Sequence, residues 1–122
     1  MTKVAFVVDD EPANIELIKG LMPEGVKVKA ALSGEIALKQ LSKKFPDIVF
    51  LDLLMPQMDG FETLQAIREL PHGENLPVLI ISGNASDTDI EKSKALGAIG
   101  HLVKPVDGEK LASYINQYLL EE

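Results

Sequence analysis

The stretch Val4-Ala5-Phe6-Val7-Val8-Asp9-Asp10-Glu11-Pro12 decides how the rest of the chain is read. Its apolar part is short, continuous and rich in β-branched valine, the pattern of a strand buried on both faces. It stops abruptly in three acids, and Pro12 suits the first turn of a helix. A buried strand, an acidic turn and a helix start together open a strand–helix unit.

Comparable apolar runs follow at Val26–Ala31, Ile48–Leu51, Val78–Ile81 and around His101–Val103. Between them apolar residues recur at helical spacing. The sets are Ile15, Ile18 and Met22, then Ala37, Leu38 and Leu41, then Phe61, Leu64 and Ile67. The last is Leu111, Ile115 and Leu119, with Tyr114 and Tyr118 on a neighbouring stripe. Asp59 with Glu62 three residues on is a capping-box pattern, Asp107 can cap the last helix, and Gly97 can end the fourth. Pro23, Pro46, Pro71 and Pro77 fall in connections. The fourth helical segment, Asp87–Leu96, has only Ile90, Ala95 and Leu96 to bury, so it is expected to be the most loosely held. Five strand–helix units of roughly 24 residues predict an α/β fold with right-handed crossovers and a parallel sheet covered on both faces.

Composition agrees. A chain of 122 residues, 46% hydrophobic and 25% charged, is one globular domain of ordinary size. Nineteen acids against twelve bases give a net charge of −7. With a pI near 4.8 and no basic cluster along the sequence, the charge argues against binding nucleic acid or anionic lipid. Absence of cysteine excludes disulfides, thiolate nucleophiles and cysteine-based zinc sites. No apolar run approaches the roughly 18 residues of a membrane helix, so a cytoplasmic location is the default expectation.

In an open parallel sheet, ligands bind outside the carboxyl ends of the strands, at the switch point in strand order. The first strand ends in Asp9, Asp10 and Glu11, the third in Asp52, the fourth in Ser82, and the fifth in Lys104-Pro105. In the flavodoxin-like order 2-1-3-4-5 these residues line one rim. Each alone reads as a helix cap, a turn residue or a snorkelling surface lysine; together they point to a site. Two carboxylates 4 Å apart repel by about 4 kcal/mol at an effective dielectric of 20. Such a cluster calls for Lys104 and for a hard cation such as Mg²⁺, which prefers oxygen ligands. Zinc would want imidazoles, and neither His72 nor His101 has a partner at ligand spacing. A carboxylate, a metal, a hydroxyl and a lysine make a coherent phosphoryl-transfer set. The first turn is acidic rather than glycine-rich, which disfavours a free mononucleotide or flavin site.

Four stretches in this order resemble the receiver domain of two-component response regulators, the CheY-like family, over essentially the whole chain. They are Val7-Val8-Asp9-Asp10-Glu11, Asp52-Leu53-Leu54-Met55-Pro56-Gln57-Met58-Asp59-Gly60, Ile81-Ser82-Gly83 and Lys104-Pro105. The resemblance implies a doubly wound (βα)5 sandwich with a five-stranded parallel sheet. It implies that residues 1–122 are a single receiver domain with no output domain in this chain. Asp52 would be the phosphoacceptor. Asp10 would hold Mg²⁺ directly, Asp9 mainly through water, with Asp52 and the Leu54 carbonyl as further ligands. Lys104 and Ser82 would contact the phosphate, and the Lys104–Pro105 bond would be cis. The family's switch position usually carries Tyr or Phe and is His101 here. Leu54 and Asn84 occupy positions that the family uses to tune dephosphorylation. A histidine kinase or histidine phosphotransfer protein would be the donor, docking near Asn14 and Ile15. A downstream protein would bind the face of helix 4, strand 5 and helix 5. Direct nucleic-acid or membrane binding is not expected, and the chain would be a monomer or weak dimer that catalyses only its own phosphorylation and dephosphorylation.

Two other readings stay open. One is a receiver-like adaptor that works without phosphate, against which the complete Asp–Asp–Asp–Ser–Lys set argues. The other is a small Mg²⁺-dependent aspartyl phosphatase. The familiar pattern of such phosphatases has a second acid two residues after the nucleophile, where this chain has Leu54.

Overall fold

The computed structural model describes residues 2–120. Five strands, β1 (Lys3–Val8), β2 (Val26–Ala31), β3 (Ile48–Asp52), β4 (Val78–Ser82) and β5 (Gly100–Val103), alternate with five helices. The helices are α1 (Pro12–Leu21), α2 (Gly34–Leu41), α3 (Gly60–Glu69), α4 (Asp87–Ala95) and α5 (Gly108–Ile115), and a turn of π-helix, Asn116–Leu120, continues α5. All strand pairs are parallel, in the order β2-β1-β3-β4-β5. This is the flavodoxin-like doubly wound arrangement expected from the spacing of the apolar runs.

Alternation along the strands divides the core into two layers. Phe6, Val8, Val49, Leu51, Val78 and Ile80 face one side, under Ala37 and Leu41 of α2 and Leu64 and Ile67 of α3. Ala5, Val7, Ile48, Phe50, Leu79 and Ile81 face the other, under Ile15 and Ile18 of α1 and Leu111 and Ile115 of α5. Every residue of β3 and β4 is buried. The outer strands differ from the expectation of burial on both faces. In β2 both lysines and Ala30 are exposed, and Val103 of β5 is 59% exposed. Each has only one neighbouring strand, so one flank meets solvent. At Gly100 in β5, an added Cβ would run into the Tyr114 hydroxyl, so the glycine makes room for that ring.

The caps follow the sequence closely. Asp59 accepts from Glu62 N–H at 2.9 Å while the Glu62 side chain accepts from Asp59 N–H at 3.1 Å. Asp107 accepts from the N–H groups of Glu109 and Lys110. Gly97 takes a positive φ of 85° after α4, and Pro12 opens α1. A second capping box, Ser86 with Asp89, starts α4.

Helix α4 has even less apolar anchorage than its composition implied. Its one buried residue is Ser93, whose hydroxyl donates to the Ile90 carbonyl, while Ala95 is exposed. Polar contacts hold the helix instead. Lys92 Nζ lies 4.5 Å from the centroid of the Phe61 ring, worth about 0.5–1 kcal/mol at an exposed site. The Arg68 guanidinium, at the end of α3, donates to the carbonyls of Leu96 (2.8 Å) and Gly97 (3.0 Å) beyond α4. It also donates to those of Gly73 and Leu76 (both 2.7 Å) in the connection to β4. One side chain thus satisfies four carbonyls from two segments. Its planar fork of five donors makes this possible, which an ammonium cannot match.

Arg68→Ala is expected to lower the unfolding free energy in urea by about 2–4 kcal/mol, because charge-assisted hydrogen bonds are lost and their acceptors stranded, and Arg68→Lys should restore only part of it. Amide hydrogen exchange should show α4 opening before α3; equal protection of the two helices would contradict the weak anchorage of α4.

Candidate functional site

Strand order reverses between β1 and β3, since β2 lies beyond β1 and β4 beyond β3. The crevice outside their carboxyl ends is where side chains from different segments converge. Asp9 follows β1 directly and Asp52 is the last residue of β3. Both are buried, at 2% and 3% exposure. Asp10 is half-buried and Glu11 exposed. Carboxylate oxygens of Asp9, Asp10 and Asp52 lie within 4.8 Å of one another.

Lys104 follows β5 and reaches across this cluster. Its Nζ is 2.9 Å from Asp9 Oδ2, 3.2 Å from Asp52 Oδ2 and 3.9 Å from Glu11 Oε1. Local backbone holds the carboxylates in place. Asp9 Oδ1 accepts from Glu11 N–H at 2.9 Å, and Asp52 Oδ1 accepts from Leu54 N–H at 3.1 Å. Asn14 donates to Glu11 Oε1 at 3.1 Å, tying the start of α1 to the same rim. The segment after β3 must turn back tightly: Gly60 N–H donates to Leu53 carbonyl at 3.0 Å, and an added Cβ at Gly60 would collide with the backbone at Asp52 and Leu53. Only glycine fits there, which explains the Asp59-Gly60 pair.

Charge and burial oppose each other at Asp52. Burial raises its pKa above the ordinary carboxylate value, the Leu54 N–H lowers it, Asp9 raises it again and Lys104 lowers it, leaving it raised overall. For Lys104, burial disfavours the ammonium, but its hydrogen bond to Asp9 and the charges of Asp52 and Asp9 outweigh that and hold its pKa above the usual lysine value. A single ammonium against Asp9, Asp10, Glu11 and Asp52 leaves a surplus of negative charge. The donors are all oxygens, and two of the carboxylates are buried. This set suits a hard divalent cation and fits Mg²⁺.

The remaining residues singled out from the sequence are placed as follows. Ser82 ends β4 and is fully buried; its hydroxyl accepts a long 3.5 Å bond from Asn84 N–H. Leu54 is 59% exposed, with its N–H turned to Asp52. The Lys104–Pro105 bond is cis. His101 is not part of the acid cluster but lines a crevice with Lys104 and Pro105. It pairs with Ile80 across β4 and β5, a residue of the sheet face under α2 and α3. Its Nε2 is buried without a hydrogen-bond partner among the described residues, and burial lowers its pKa. Ile15 is buried in the α1–α5 layer, a packing residue, and Asn14 is half-buried. His72 takes a positive φ of 66° in the turn after α3. The Gln57 backbone, also at positive φ (65°), had no signal in the sequence, since neither glycine nor asparagine marks it.

Residues 5–116 match the family model of the response regulator receiver domain. The chain is 36% identical over 116 residues to an uncharacterised 14.6 kDa protein of Leptolyngbya boryana, covering 94% of this chain and 88% of that protein. It is 35% identical over 114 residues to a probable cyclic di-GMP phosphodiesterase of Vibrio cholerae, covering 93% of this chain but only 26% of that relative. Among solved structures, the chemotaxis protein CheY4 of Vibrio cholerae superposes with a TM-score of 0.89 at 29% identity, over 98% of this chain and all of the other. Fold, rim chemistry and sequence agree, and the chain belongs to the response regulator receiver family, the signalling domain of two-component systems.

Proposed function

We propose that this chain is a phosphorylation-dependent switch that accepts a phosphoryl group on Asp52 from a histidine kinase or histidine phosphotransfer protein. The observation that carries the reading is the Lys104 bridge between two buried carboxylates at the reversal of strand order. A carboxylate oxygen of Asp52 forms the new bond to phosphorus while the bond from phosphorus to the donor nitrogen breaks, and the freed imidazole takes up a proton. Asp10, Asp9, Asp52 and the Leu54 carbonyl would hold Mg²⁺, which supplies positive charge against the carboxylates and the phosphoryl oxygens. Lys104 is positioned to pair with an equatorial phosphoryl oxygen, an electrostatic role of the kind that lowers phosphoryl-transfer barriers. Ser82, buried with only a long hydrogen bond, has a hydroxyl free to turn toward the new group.

The added charge is about −2 near neutral pH for a simple phosphate. It arrives beside the loop from β4 to α4, the least anchored helix. In this reading Ser82 and His101 report the change to the face of α4, β5 and α5, where a downstream protein binds. The donor would dock near the start of α1, around Asn14. The chain turns over only its own aspartyl phosphate and works in the cytoplasm. No helix among the described residues is long and apolar enough to cross a membrane.

Incubation with acetyl phosphate should add one phosphoryl group by intact mass, only with Mg²⁺ and not in Asp52→Asn. Absence of any adduct, with unchanged amide spectra on adding beryllofluoride, would favour a phosphate-independent adaptor; rapid hydrolysis of phosphate esters would favour a phosphatase. A second expectation follows from electrostatics. The folded pKa of Asp52 is raised, so its contribution to stability is fully present below the ordinary carboxylate value and is lost as pH rises through the raised one. Without divalent metal at neutral pH, Asp52→Asn should therefore have a higher urea midpoint than the parent, and the gain should vanish in acid; a lower midpoint at neutral pH would contradict the charge balance described.

A further inference from the structure

The lysines of this acidic chain are unevenly placed. Residues 26–46 carry Lys27, Lys29, Lys39, Lys43 and Lys44 against Glu35 alone, a net +4 that leaves −11 on the rest of the chain. They are too scattered to read as a basic run, yet the fold collects them. Lys27 and Lys29 pair in register with Val4 and Phe6, so both project on the α2 side of the sheet. Lys39 lies in the last turn of α2, and Lys43 and Lys44 follow it. Lys29 and Lys44 border one shallow crevice with Phe45 and Pro46. All five are exposed, and none forms an ion pair among the described residues. Strand β2 pairs only with β1, so its outer edge has no strand partner.

We propose that the outer edge of β2, with the end of α2, is a second docking surface for an extended acidic segment of a partner protein, whose carboxylates recur at every second residue to meet Lys27 and Lys29. Three features select this occupant. Free backbone groups on an edge strand accept an added strand, and alternate side chains then fall on one face. Lysines on a sheet edge repel their own kind and so discourage self-association; a strand bearing carboxylates is the one they attract. The patch is small and bounded by the negative remainder, so a long polyanion such as DNA would run past it into repulsion, whereas a short acidic segment ends where the lysines end. The patch flanks the start of β1, while the acid rim follows its end, so the occupant leaves Asp52 accessible. The surface is distinct from the α4–β5–α5 face and does not depend on phosphorylation.

The test is titration of the isotopically labelled full chain with a short peptide alternating Glu and Thr, against its Gln–Thr counterpart, followed by amide chemical shifts. Shifts confined to residues 26–31 and 39–46 are expected. Affinity should fall about tenfold or more in the Lys27→Glu/Lys29→Glu/Lys44→Glu variant, and should fall with added salt. Retained Mg²⁺-dependent acetyl phosphate labelling of Asp52 would show that the variant is folded. No shifts, equal binding of the Gln–Thr peptide, or undiminished binding by the variant would overturn the proposal. Tighter binding of a short DNA duplex or of phosphatidylserine vesicles at the same lysines would overturn the assignment to a protein partner.

Discussion

The Lys104 ammonium, held between Asp9 and Asp52, is the contact on which the site depends. It joins residues from the ends of β1, β3 and β5, three strands that never all touch. Two carboxylates at 2% and 3% exposure would repel strongly without it, and burial would drive one toward its neutral form. The sheet order makes the bridge possible: with β3 central and β5 outermost, a long side chain from the edge spans β4 and arrives over the centre. Fold and site are thus linked, since the order of the strands brings the lysine and the acids to one rim.

Because one ammonium faces several acids, the pocket remains under-compensated. That residual charge prepares it for cations. It also places the functional group under strain of a particular kind. Burial raises the pKa of Asp52, so the fold disfavours the charged form of the residue proposed here as phosphoacceptor.

Much of this was legible in the sequence because the fold's signals are local. A five-residue apolar run ending in acids, a capping box at Asp59 and Glu62, and a lysine before proline are each readable within a few positions. The burial of β3 and β4 follows directly from uninterrupted apolar character. Features that depend on distant segments were not readable. Nothing in residues 60–70 marks Arg68 as the holder of carbonyls from 73, 76, 96 and 97. The edge character of β2 was present in its lysines, yet their clustering with Lys43 and Lys44 needed the α2 crossover to bring it about. Ser93, polar in sequence, proved to be the buried point of α4 because its hydroxyl bonds within its own helix. His101 was recognised as a departure from the aromatic residue usual at that position, but only the structure places its Nε2 in a buried position without a partner.

Arg68 has a consequence for how this fold can vary. All four of its acceptors are main-chain oxygens, which every amino acid supplies. Leu76 and Leu96 can therefore change their side chains without breaking the clamp, and no compensating substitution elsewhere can replace the guanidinium. Related chains would show one position holding arginine with no partner position changing in step, so a search for paired substitutions would miss the contact that fastens α4 to its neighbours. The tie is written into the sequence once, at a single residue.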